Sequence, residues 1–228
     1  MPIREDPLVD GEIYHIINKG VASMSIFIDD RHYQRFLETA LYYQHKNPPL
    51  RYSYFERLAQ ADKADALLKL SQAKKFVDII CFCLMPNHFH FLLKQVADNG
   101  ISEFMRKFSE SYTHYFNVKH SRKGPLFQGR FKSVRIESEQ QLLHVSRYIH
   151  LNPYSSGIVK TVADLKKYYY SSLPEYLGLT KNEICQKEIV TGYFQKPGSY
   201  QEFVFEQADY QRELALIKHL LLENLDTE

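Results

Sequence analysis

Two apolar runs in the middle of the chain, VDIICFCLM at 77–85 and HFHFLLK at 88–94, constrain the fold more than any other feature. Only the turn-forming pair Pro86-Asn87 separates them, so they read as neighbouring strands of a hairpin. EIYHIIN at 12–18, ended by Lys19-Gly20, is a third β-rich run, and LFQGRFKSVRI at 126–136 is one or two strands broken at Gly129. Helical spacing fills the intervals. Asp30 can cap a helix whose apolar positions are Tyr33, Phe36, Leu37, Ala40 and Leu41. The stretch 55–75, rich in Ala, Leu, Lys and Gln without Gly or Pro, predicts a second helix. Phe104, Met105, Phe108, Tyr112, Tyr115 and Phe116 mark one face of a long helix. Ser138 and Gln141 have capping-box spacing ahead of Leu142, Val145 and Ile149, and Pro153 predicts that this helix stops near Asn152.

The resulting order, β-α-(α)-β-β-α-β-α, is a split βαβ pattern. It predicts an α+β fold: a ferredoxin-like, mainly antiparallel sheet with helices on it, spanning residues 1–178. After Leu177 the composition changes, and residues 179–228 are expected to form an acidic helical extension with short helices around Pro197-Gly198. Its last helix, 208–222, is expected to dock on the main domain through Leu214, Ile217 and Leu221.

Charge is informative only in its distribution. The sum is +2, yet residues 111–136 hold Lys119, Arg122, Lys123, Arg130, Lys132 and Arg135 and no acid, while 201–228 hold seven acids against Arg212 and Lys218. The basic run also carries Phe116, Phe127 and Phe131, a mixture suited to holding single strands through phosphate neutralisation and base stacking. Three cysteines cannot build a disulfide framework, the N-terminus lacks an apolar signal core, and no apolar run is long enough to span a bilayer. A cytoplasmic protein is expected.

His88-Phe89-His90 is the sharpest local feature. On a strand both imidazoles point to one face, while Phe89, Phe91 and Leu93 point to the other. Two such histidines can chelate a metal, and they can equally be ordinary strand residues. The usual hydrolase readings of the pair fail. Leu92 stands where a third histidine would be, Lys94 stands where a carboxylate would be, and repeated His-x-Ser/Thr motifs are absent. Sixty residues later His144, Tyr148 and Asn152 form an i, i+4, i+8 polar row beside the apolar positions of the same helix. Together with the two histidines, this row supplies a nucleophile and a third metal ligand, or else a solvated helix face.

LMPNHFHFLLK (84–94), KGPLFQGRFKSVRI (123–136) and RYIHLNPYSSGIV (147–159) together resemble the HUH superfamily of single-tyrosine transposases. The resemblance is strongest to the branch associated with repetitive extragenic palindromes. It extends in order from about Tyr14 to Leu177, with IYHIINKG and SIFIDD similar to the family's opening strand and loop. The stretch near 55–75 is longer than in the shortest members.

The resemblance implies a metal-dependent enzyme that cuts single-stranded DNA near hairpins through a 5′-phosphotyrosine and rejoins it. By correspondence of motifs, His88 and His90 are metal ligands, Tyr148 is the nucleophile, and Asn152 completes the metal site. His144 orients the tyrosine or holds phosphate. Two imidazoles and an amide oxygen form an incomplete shell suited to Mg²⁺ or Mn²⁺. The expected partner is hairpin-bearing single-stranded DNA, bound through the six cations of 111–136, with no membrane and with the chain a monomer or homodimer. A catalytically silent, transposase-derived DNA-binding protein is the alternative. Tyr112 and Tyr115 lie in an apolar stripe and read as core, packing is the default for Tyr168, Tyr169 and Tyr170, and a zinc site built from Cys81, Cys83 and the two histidines is the competing metal reading.

Overall fold

The computed structural model describes residues 7–181, 183–196 and 198–223, with side chains as far as Leu216. The elements follow the predicted order. They are β1 (Ile13–Lys19), α1 (Asp30–Tyr43), α2 (Tyr52–Phe55), α3 (Gln60–Ser71), β2 (Val77–Met85), β3 (His88–Gln95), α4 (Gly100–Lys119), β4 (Lys132–Arg135) and α5 (Glu139–Ser155). Short helices α6 (Leu173–Tyr176), α7 (Glu188–Thr191) and α8 (Ser199–Phe205) follow, and α9 (Ala208–Glu223) comes last. The four strands form one antiparallel sheet in the order β2-β3-β1-β4, which is the ferredoxin-like arrangement. β4 pairs antiparallel with β1, Tyr14 opposite Arg135 and Ile16 opposite Ser133. Gly129 has a φ of 66°, a left-handed conformation natural to glycine, and it interrupts the 126–136 run before β4 begins.

The chain divides into two compact units. The first comprises residues 1–79, 86–89 and 93–136, and the second comprises 80–85, 90–92 and 137–228. β2 and β3 therefore contribute residues to both.

An aromatic cluster forms the core of the first unit. Phe36 on α1 meets Phe108 and Tyr112 of α4, at 4.5 and 5.0 Å between ring centres, and Phe89 of β3 at 5.0 Å. Each fully buried ring of this kind contributes roughly 2 kcal/mol. Asp29, rather than the predicted Asp30, caps α1: its carboxylate accepts from the His32 backbone N–H, and Asp30 sits in the first turn. Of the predicted 55–75 helix only Gln60–Ser71 is helical, as α3, and α2 ends where the prediction began.

In the second unit, Ser138 caps α5 by accepting from the Gln141 N–H, while the Gln141 side chain accepts from the Glu137 N–H. The expected stop near Asn152 is overturned, because α5 continues through Pro153 to Ser155. Proline removes one helical donor, and the last turn survives because Leu151, Asn152, Tyr154 and Ser155 are all buried. The Ser155 hydroxyl also donates to the carbonyls of Leu151 and Asn152. Backbone bonds from residues 170–172 occupy the edge of β2: Leu84 N–H donates to the Tyr170 carbonyl and Ser172 N–H to the Phe82 carbonyl. Tyr168 donates its hydroxyl to the Leu84 carbonyl, as expected of a packing residue, whereas Tyr169 is exposed.

α9 lies on α5 through Tyr154, whose hydroxyl donates to Asp209 at 2.7 Å, and Leu214 is exposed. Pro197 and the side chains of Ile217 and Leu221 lie outside the described residues. Among the described residues no helix is long and apolar enough to cross a membrane.

Candidate active site

β3 opens with His88, so the pleat places His88 and His90 on one strand face. Phe89, on the opposite face, is buried in the aromatic core of the first unit. Asn87, in the turn before β3, holds His88: Asn87 Oδ1 lies 2.7 Å from His88 Nδ1. An amide oxygen only accepts, so Nδ1 carries the proton and Nε2 carries the lone pair. Burial, reinforced by the nearby Lys19 charge, pushes the His88 imidazole down to about 4 and keeps it neutral at neutral pH. A neutral imidazole with its second nitrogen fixed by a hydrogen bond is the form that binds metal.

The second unit brings the other site residues together. His90 is buried, and its ring meets Tyr148 edge to face at 5.7 Å with an interplanar angle of 87°. Tyr148 is 41% exposed, so the ring combines a packed edge with access to solvent. Asn152, one turn further along α5, is buried and donates its amide N–H to the Tyr148 carbonyl at 3.4 Å. That leaves its amide oxygen as the atom able to act as a ligand. His144, one turn before Tyr148, is exposed and accepts from the Arg147 guanidinium at 2.7 Å. The Arg147 guanidinium also lies 4.4 Å over the Phe203 ring. His144 thus belongs to a cationic pair on the helix surface.

The competing residues are accounted for. Tyr112 is fully buried and donates its hydroxyl to the Ile26 carbonyl at 2.6 Å, and burial pushes its phenol far above the usual range. Cys81 and Cys83 are buried, and desolvation raises both thiols, which disfavours the thiolates a zinc ion needs. Among the described residues no three His, Cys, Asp or Glu side chains are grouped so as to hold a metal ion.

Five of the six cations of the basic segment are exposed, and Arg122 is half-buried. Lys119 pairs with Asp29 at 3.3 Å, Arg122 bonds to the Asn117 side chain and the Pro125 carbonyl, and Arg135 pairs with Glu12 at 3.0 Å. Sequence reasoning missed Asn87 and Arg147. Asn87 stands immediately before the histidine pair and could have been noticed, whereas the Arg147 contact with Phe203 joins residues 56 positions apart and has no local signal.

With this geometry established, residues 47–152 match the family model described as transposase IS200 like. That stretch of the chain is therefore similar to IS200-like transposases. A REP-associated tyrosine transposase, solved bound to a REP hairpin, superposes with a TM-score of 0.55 at 15% identity, over 82% of this chain and 98% of that one. The tRNA(His) guanylyltransferase of Saccharomyces cerevisiae aligns with a TM-score of 0.36 at 14% identity, over 90% of this chain and 81% of that one, a likeness too distant to bear on fold or function. No curated protein matches the chain in sequence. The structural neighbour shares the fold of this chain, and the family match lies within it.

Proposed function

We propose that this chain is a cytoplasmic endonuclease and strand transferase that cuts single-stranded DNA near hairpins by forming a 5′-phosphotyrosine on Tyr148. Residues 1–178 would be the catalytic domain and 179–228 an extension of it. The observation that carries the reading is the His90–Tyr148 contact, which sets a partly exposed tyrosine against a strand histidine in a chain that matches the IS200-like model. The REP hairpin held by the structural neighbour supports hairpin-bearing DNA as the partner.

His88, His90 and Asn152 would hold Mg²⁺ or Mn²⁺. The donor set fits: the neutral His88 imidazole oriented by Asn87, the His90 imidazole and an amide oxygen. When bound, the cation would neutralise charge on the non-bridging phosphate oxygens. Tyr148 supplies the nucleophile. Its phenolic oxygen bonds to phosphorus and loses its proton, the bond from phosphorus to the 3′ oxygen breaks, and that oxygen leaves as a 3′-hydroxyl. The tyrosine ester keeps the energy of the broken linkage, so a 3′-hydroxyl can attack it and release Tyr148 without a nucleotide cofactor. The His144–Arg147 pair offers a cation one turn from the nucleophile, suited to a DNA phosphate.

The direct test incubates the protein with hairpin-bearing single-stranded oligonucleotides and Mn²⁺ and resolves the products on a denaturing gel. A protein–DNA species that protease digestion converts to a short phosphotyrosyl peptide is expected. Free 5′-phosphate without an adduct at any time point would identify a hydrolytic nuclease and remove strand transfer.

Binding is proposed to use the basic segment through the exposed Lys119, Lys123, Arg130, Lys132 and Arg135, with the half-buried Arg122 beside them. Each phosphate contact to a single strand contributes a slope of about −0.7 to log K against log salt. Replacing Arg130 and Lys132 together by alanine should flatten the slope by one to two such increments. A slope equal to the wild type would place the DNA elsewhere.

A further inference from the structure

α5 carries a second polar row that the proposed chemistry leaves unused. Ser146, His150 and Tyr154 follow i, i+4, i+8 spacing on the side of the helix opposite Tyr148. All three are bonded to the C-terminal extension. Tyr200 of α8 is buried, with its hydroxyl 2.7 Å from His150 Nδ1 and 3.2 Å from the Ser146 hydroxyl. The other nitrogen of His150 lies 2.8 Å from the Ser172 hydroxyl. A donor direction runs from His150 to Tyr200, from Tyr200 to Ser146, and from Ser146 to the Leu143 carbonyl, while the Ser172 hydroxyl beside the other His150 nitrogen also lies 3.2 Å from the Phe82 carbonyl. Tyr154 donates to Asp209 of α9, and the Arg212 guanidinium lies 4.7 Å over the Tyr154 ring.

The front of the helix is tied as well. The Gln211 amide of α9 donates to the Tyr148 carbonyl at 3.2 Å and to the Ser155 hydroxyl at 3.4 Å. This tie falls where α5 is weakest. Pro153 has no N–H to give the Ile149 carbonyl, so the helix lacks a bond in the turn that follows Tyr148. Apolar packing alone tolerates small rotations and slides of a helix, whereas a satisfied buried polar network has one good geometry.

We infer that the C-terminal extension is part of the cutting machinery, with His150, Tyr200 and Gln211 as positioning residues that fix the rotation of α5 and thereby the Tyr148 hydroxyl. The inference rests on the reading of Tyr148 as nucleophile. It makes the tail a determinant of rate through its hold on α5.

The test is single-turnover adduct formation by the full chain with Mn²⁺ and a hairpin-bearing oligonucleotide, followed against oligonucleotide concentration. Tyr200→Phe, which deletes only the hydroxyl shared by His150 and Ser146, should lower the saturating rate about tenfold or more and shift half-saturation by less than about twofold. Gln211→Leu, at a partly exposed position that keeps the buried network intact, should lower the rate in the same way by a smaller factor. Thr161→Ala removes the capping box of the short 3-10 helix Val162–Lys167 in the same unit, and should lower the melting temperature with the rate retained. Wild-type rates in both Tyr200→Phe and Gln211→Leu, or losses that only track the unfolded fraction, would overturn the inference alone. No adduct from the wild-type chain would remove the reading of Tyr148 and this inference with it.

Discussion

Tyr148→Phe is expected to abolish the covalent protein–DNA adduct, by at least about a thousandfold in rate, while fold and DNA affinity persist. The phenol is 41% exposed and its ring packs edge-on against His90, so deleting the hydroxyl keeps the packed surface and should change stability by no more than about 0.5 kcal/mol. Rate falls because the nucleophilic oxygen is gone. Tyr112 is fully buried with its hydroxyl committed to the Ile26 carbonyl, and it could attack DNA only after the first unit opened. The measurement is mass spectrometry of peptides from the trapped adduct. A phosphotyrosyl peptide containing Tyr112 or Tyr115 would reassign the nucleophile.

His88→Ala should remove metal-dependent cleavage, about a hundredfold or more, and weaken Mn²⁺ binding measured by titration calorimetry. His88 is half-buried at the start of β3, so the fold and hairpin binding should survive its truncation. Asn87→Ala tests the orientation of the imidazole separately. Freed from its Nδ1 partner, His88 should lose about ten- to a hundredfold in metal affinity, with the ligand itself still present. Undiminished cleavage and Mn²⁺ binding in His88→Ala would remove the histidine pair from the metal site.

Much of the site was legible because its spacing is covalent. Residues 88 and 90 share a strand face in any strand, and 144, 148 and 152 share a helix face in any helix, so alternation and the capping serine sufficed to place them. The hairpin was equally legible, since two apolar runs joined by Pro-Asn have few other ways to fold. Boundaries were less so. Pro153 predicted a stop that burial of 151–155 overrode, and the cap fell on Asp29 because its carboxylate reaches the His32 N–H.

The sequence by itself determined the order of elements, the faces on which His88, His90, Tyr148 and Asn152 lie, and the contrast between a basic middle and an acidic end. Tertiary structure alone decided that His90 meets Tyr148, 58 residues away, and that Lys119 pairs with Asp29 and Arg135 with Glu12. It also decided that His150, which in the sequence is one more polar residue of α5, is buried against Tyr200. The physical reason is range. Periodicity and capping act within a few residues and are written locally, whereas the choice of partner for a buried imidazole or an ammonium depends on segments fifty or more positions apart, brought together only when the chain has folded.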